Sequence, residues 1–254
     1  MKSLTRVLQQ KKDNGNKLFI PYIMAGANGL ERLADEIEML AESGASAIEL
    51  GVPFSDPVAD GPVIQLAGIH SRERGTTLKK IIAFLKEFNS PVPLILMGYF
   101  NSFLHYGLEG LVEDLSSTDV KGVIIPDLPY EHREMFLDPA KESDIAFIQL
   151  VTLTSSDERI DQLVSEAEGF IYAVTINGTT GINRDYQDNL YQHLQKITEK
   201  SPIPVLAGFG VSKPEHVQTF NNYCDGVIIG SCIVQSLAQD GIDETQELIE
   251  TLFA

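Results

Sequence analysis

The chain has 254 residues, is 43% apolar, and carries 36 acidic against 19 basic side chains for a net charge of −17. That balance argues against nucleic-acid and anionic-membrane partners, which need a basic face. The apolar runs are too short to span a bilayer and the start of the chain is polar, so a soluble cytoplasmic protein is expected.

Short apolar runs recur at 18–24, 45–50, 93–97, 122–125, 146–150, 170–174, 203–207 and 226–229. They are near-continuously apolar rather than alternating, the pattern of parallel strands covered on both faces. Amphipathic segments separate them at 30–43, 77–89, 108–117, 131–143, 156–167, 189–200 and 214–222. Further helices are expected at 3–12 and 243–253, and Ser156 and Ser212 stand where N-caps belong. This alternation predicts an α/β fold, a (β/α)8 TIM barrel with an extra N-terminal helix and a short helix after the eighth strand. Its rival is an open doubly wound sheet, weakened because no G-x-G-x-x-G opens the first strand–helix turn. No linker or charge block interrupts 1–254, so a single domain is expected. Cys224 and Cys232 read as small core thiols, and the five histidines show no metal-ligand spacing.

Barrels keep their active residues at the C-terminal ends of strands and in the loops that follow. Near the end of the second strand stands Glu49, an acid in a strand of core character, which needs a reason to be there. A Gly/Pro-rich loop then delivers Asp60. Two carboxylates on different supports can be driven to different pKa values and so divide acid and base work. Taken singly, Glu49 reads equally as an ion-pair partner and Asp60 as a turn residue; the loop framing and their pairing favour catalysis. Asp127, after the fourth strand, either caps the helix that follows or supports the site. Tyr22 and Tyr172, near the ends of the first and sixth strands, are packing aromatics or ligand contacts. Glycine-rich turns at 177–181, 208–210 and 230–231 follow the sixth, seventh and eighth strands. Such turns let backbone N–H groups approach an anion, and the last two occupy the usual phosphate position of barrels.

The segment Glu49-Leu50-Gly51-Val52-Pro53-Phe54-Ser55-Asp56-Pro57-Val58-Ala59-Asp60-Gly61-Pro62 resembles the signature of the tryptophan synthase α subunits. Phe19-Ile20-Pro21-Tyr22, Pro126-Asp127-Leu128-Pro129, Gly208-Phe209-Gly210-Val211-Ser212 and Gly230-Ser231 resemble further motifs of that family in the same order. The resemblance covers nearly the whole chain. It implies a lyase that cleaves indole-3-glycerol phosphate to indole and glyceraldehyde 3-phosphate, with Glu49 and Asp60 as the catalytic pair. It also implies that Tyr22, Ile64, Tyr172, Thr180 and Phe209 line the substrate, and that Gly181, Gly210, Gly230 and Ser231 hold its phosphate. No metal or cofactor is implied for this chain; pyridoxal phosphate is expected only in a partner β subunit, within an αββα heterotetramer. The loop 53–56 and the segment 101–107 would supply that interface. Two departures stand out: Ala25-Gly26-Ala27-Asn28 where the family usually reads Ala-Gly-Asp-Pro, and Thr175-Ile176-Asn177-Gly178-Thr179-Thr180-Gly181 where it usually reads Ser-x-x-Gly-Val-Thr-Gly. Competing readings are a phosphate-binding barrel isomerase or synthase, of which the lack of a strand-end Lys disfavours the synthase, and a non-catalytic scaffold, which retention of both acids disfavours.

Overall fold

The structure, a computed structural model, describes residues 1–175, 184–208 and 210–254, and all their side chains except those of 184–188. In chain order, α1 (Ser3–Asp13) precedes β1 (Leu18–Met24), and a 3-10 turn at Leu30–Arg32 leads into α2 (Leu33–Glu42). Then come β2 (Ile48–Gly51), α3 (Pro62–Glu73), α4 (Leu78–Glu87), β3 (Leu94–Met97), α5 (Phe100–Tyr106) and α6 (Leu108–Ser116). β4 (Val120–Ile124), α7 (Glu134–Ala140), β5 (Ala146–Phe147), β6 (Gln149–Thr152), α8 (Asp157–Ser165) and β7 (Ile171–Val174) follow. The last elements are α9 (Arg184–Lys200), β8 (Val205–Gly208), α10 (Pro214–Asn221), β9 (Gly226–Ile229), α11 (Ser231–Gln239) and α12 (Ile242–Leu252).

Every strand pairing is parallel, in the order β5-β4-β3-β2-β1-β9-β8-β7-β6. The two ends of that order, β5 and β6, are consecutive in the chain and separated only by Ile148. They are the expected fifth strand broken in two: its first part pairs with β4 and its second with β7, which closes the sheet into a barrel. The expected sixth, seventh and eighth strands are therefore β7, β8 and β9.

Side chains alternate between two apolar layers. Leu18, Ile20, Ala47, Ile95, Ile124, Phe170, Tyr172, Leu206 and Ile228 point into the barrel and pack together. Ile23, Ile48, Leu50, Leu96, Val123 and Val205 point outward and pack with helix residues such as Ile37, Ile81 and Leu111. Leu4 and Leu8 of α1 are fully buried and belong to the inner layer. α1 is tied in place by Ser3 N–H donating to Asp144 and by Gly169 N–H donating to the Thr5 hydroxyl, 2.8 and 2.7 Å.

Several local expectations are corrected. α3 was not anticipated; Pro62 starts it at the first helical position, where a missing N–H costs nothing. The segment 101–107, expected as an interface loop, is mostly the helix α5, with Phe103 buried and Leu104 half exposed. Ser156 does cap α8, accepting from Arg159 N–H, whereas the residue before α10 is Lys213 and Ser212 makes no cap bond. Among the described residues no helix is long and apolar enough to cross a membrane.

Candidate active site

Register puts the first acid where the alternation requires it. Glu49 pairs with Tyr22 on one side and Ile95 on the other, so Tyr22 and Glu49 lie side by side on the inward face at the C-terminal end of the barrel. Two glycines make room for the rings. A Cβ at Gly51 would strike the Tyr22 hydroxyl, and one at Gly208 would strike the ring of Tyr172. Gly230 lies against Tyr22 too, so the turn that opens α11 stands beside the tyrosine that neighbours Glu49.

Glu49 is 1% exposed, and its Oε2 has no hydrogen-bond partner among the described residues. Burial, and then the nearby charge of Asp60, push its carboxyl up to about 8. It is therefore a proton-bearing acid at neutral pH, held ready by desolvation rather than by a partner.

Asp60 arrives differently. Its loop is pinned by backbone bonds, Asp60 N–H to Pro57 O at 3.0 Å, and by Gln65 Nε2 donating to Asp60 O at 2.9 Å. Its carboxyl is pushed up to about 6 by burial, and the Tyr99 hydroxyl holds it back by favouring the ionised form. Tyr99 is almost fully buried, stacks on Phe54 at 5.0 Å, and accepts from Ala59 N–H at 2.9 Å. That acceptance leaves its own hydrogen for Asp60. Asp127 completes this support: its Oδ1 accepts from Phe100 N–H at 2.8 Å. It thus caps α5, directly after Tyr99, and not the helix that follows its own strand.

Burial and the charges of Asp60 and Glu49 raise Tyr22 well above the usual tyrosine value, and burial with the same two charges does so at Tyr172. Both rings are therefore neutral phenols within the field of the two acids. Ile64, on the first turn of α3, is buried with Tyr22, Met24, Ala67 and Val234. On the anion side, Gly210 has φ +82°, which favours glycine, and Ser231 is the first residue of α11 with Gly230 before it. Thr180, Gly181 and Phe209 lie outside the described residues. Tyr99 was missed from sequence; its signal was its place directly after the third strand, beside Gly98.

Parallel strands closed into a barrel and joined by helices, with two acids of unequal pKa beyond or near the C-terminal ends of the strands, place the chain in the (β/α)8 class. The family model described as tryptophan synthase alpha chain matches residues 8–253, and the chain belongs to that family. It is 52% identical to the tryptophan synthase alpha chain of Streptococcus gordonii over 238 residues, 93% of this chain and 92% of the relative. It is 50% identical to that of Listeria innocua over 247 residues, 97% and 94% of the two chains. Among solved structures, tryptophan synthase subunit alpha from Legionella pneumophila superposes with a TM-score of 0.90 at 27% identity, covering 99% of this chain and 97% of that one. A chain of tryptophan synthase from M. tuberculosis gives 0.89 at 28% identity, covering 99% and 98%.

Proposed function

We propose that Glu49 and Asp60 divide the chemistry of the alpha reaction of tryptophan synthase, the cleavage of indole-3-glycerol phosphate to indole and glyceraldehyde 3-phosphate. Glu49 donates its proton to indole C3, turning a poor leaving carbon into one that can depart. The resulting cation is centred on the ring nitrogen, where the Asp60 carboxylate stabilises it. Glu49, now ionised, accepts the proton of the glycerol hydroxyl as the C–C bond breaks, which returns it to its starting state. The phosphate is held by backbone N–H groups at Gly210, Gly230 and Ser231, with Gly181 assigned the same role. Tyr22, Ile64 and Tyr172, together with Thr180 and Phe209, enclose the indole.

The observation that carries this reading is the buried carboxyl of Glu49, its Oε2 without a hydrogen-bond partner among the described residues, within reach of the Asp60 charge. No cofactor is assigned to this chain; the reaction requires only proton transfer and a fixed counter-charge. The partner is a β subunit, in an αββα complex in the cytoplasm. Val58, at the tip of the Asp60 loop, and Leu104 on α5 are exposed apolar residues that suit a contact surface. Indole release from indole-3-glycerol phosphate, measured with and without a β subunit, tests both parts. Undiminished release by Glu49→Gln removes the proton shuttle, and indifference to any β subunit removes the partnership.

A further inference from the structure

A second buried glutamate lies outside the site just described. Glu36, on the first turn of α2, is 3% exposed yet borders a recess of about 260 Å³ between α2, α3 and α11. The recess walls are largely apolar, with Ile23, Met24, Val63 and Ala67 among them; His70 lines it, and among the described residues neither Lys nor Arg does. Among the described residues the Glu36 carboxyl makes one hydrogen bond, from Asn28 Nδ2 at 2.8 Å. Burial pushes its carboxyl up to about 7, an effect that the Asn28 bond and Arg32 oppose. An acid this deep without an ion-pair partner is costly, and the cost is relieved by whatever brings a compensating charge.

We propose that this recess is a binding site for a small primary amine with a compact apolar body. The ammonium would sit on the open side of the Glu36 carboxyl, and the side-chain oxygens of Asn28 and Gln235 can accept its other hydrogens. The apolar walls cover the hydrocarbon part. An anion would meet the Glu36 carboxyl with no Lys or Arg to offset it, only His70 on the recess wall, and a neutral apolar molecule leaves the carboxyl unmatched. The site is separate from the reaction site but shares a wall with it: Met24, Ala67 and Val234 pack in one cluster with Tyr22 and Ile64. The test must therefore distinguish the two cavities.

Benzylamine is a suitable probe, titrated calorimetrically into the full chain, with benzyl alcohol and benzoate as controls. Saturable binding of benzylamine in the millimolar range is expected, with benzyl alcohol weaker by about ten-fold or more and benzoate silent, because a hydrogen bond to a charged group carries the difference. Glu36→Gln should weaken benzylamine by about ten-fold or more while leaving indole release intact. Ala238→Phe, at an exposed position on the recess rim, should abolish binding by filling the space. Glu49→Gln should bind benzylamine as the parent does. The proposal is overturned if Glu36→Gln binds benzylamine as tightly as the parent. It is overturned equally if binding disappears in Glu49→Gln, which would put the amine among the reaction-site acids, or if no saturable heat is seen.

Discussion

Glu49 and Asp60 lie near enough for their charges to couple, yet on unlike supports. Glu49 is carried on a strand and almost fully buried, and its Oε2 has no hydrogen-bond partner among the described residues. Asp60 rides a loop, is only partly buried, and has the Tyr99 hydroxyl beside it. The first arrangement makes a strong holder of a proton, up to about 8; the second leaves a group that loses its proton more easily, at about 6. Near pH 7 one is therefore mainly an acid and the other mainly an anion. The difference lies less in the residue type than in what the backbone lets water and hydroxyls reach.

The sharpest way to break the contrast is to remove its sealed member. Glu49→Gln should lower the rate of indole release by about 10²–10⁴-fold, the usual value of a positioned proton shuttle. Asp60→Asn, which keeps the shape and removes the charge, should lower it by about 10²–10³-fold, as loss of a preorganised electrostatic group does. A rate within three-fold of the parent in either variant would contradict the division of labour.

Tyr99→Phe tests the second support. Without its hydroxyl the Asp60 anion is less favoured, so its pKa must rise above about 6. Activity at pH 7 should fall about ten-fold, and the acidic limb of the pH–rate profile should move to higher pH. An unmoved limb would mean that Tyr99 only packs.

The sealed carboxyl also leaves a mark on stability. The folded pKa of Glu49, about 8, lies above its unfolded value near 4.3. Between those values the folded state holds the extra proton, so its contribution is greatest below about pH 4 and declines as pH rises toward 8. Glu49→Gln should therefore gain on the parent over that interval, by on the order of 5 kcal/mol at pH 8 in urea unfolding. A constant difference from pH 5 to pH 8 would contradict the sealed environment. The smallest effect belongs to Asp127→Ala, which removes the cap on Phe100 N–H: about 1 kcal/mol of stability, with a few-fold loss of activity through Tyr99.

The barrel was legible because buried parallel strands are written as unbroken apolar runs, and Glu49 stood out as the one acid inside such a run. What escaped depended on contacts distant in sequence. α3 hid behind Gly61-Pro62, since the glycine and proline that end a loop also begin a helix here. Asp127 was placed on the right loop, but its acceptor role could not be assigned to α5, because the helix it caps belongs to the neighbouring strand's loop. Tyr99 has no motif at all; its function is set by Ala59 and Asp60, about forty residues earlier. The break at Ile148 was equally invisible, because a strand that hands over from one neighbour to another keeps the same apolar composition.

Leu4 and Leu8 act as a cork. They fill the floor of the barrel from outside the strand–helix repeat, beneath Ile95, Ile148 and Phe170. Pulling that cork would admit water along the axis toward Glu49, and a hydrated carboxyl gives up its proton near pH 4. The first turns of the chain, remote from any reacting atom, thus keep the acid dry enough to be an acid.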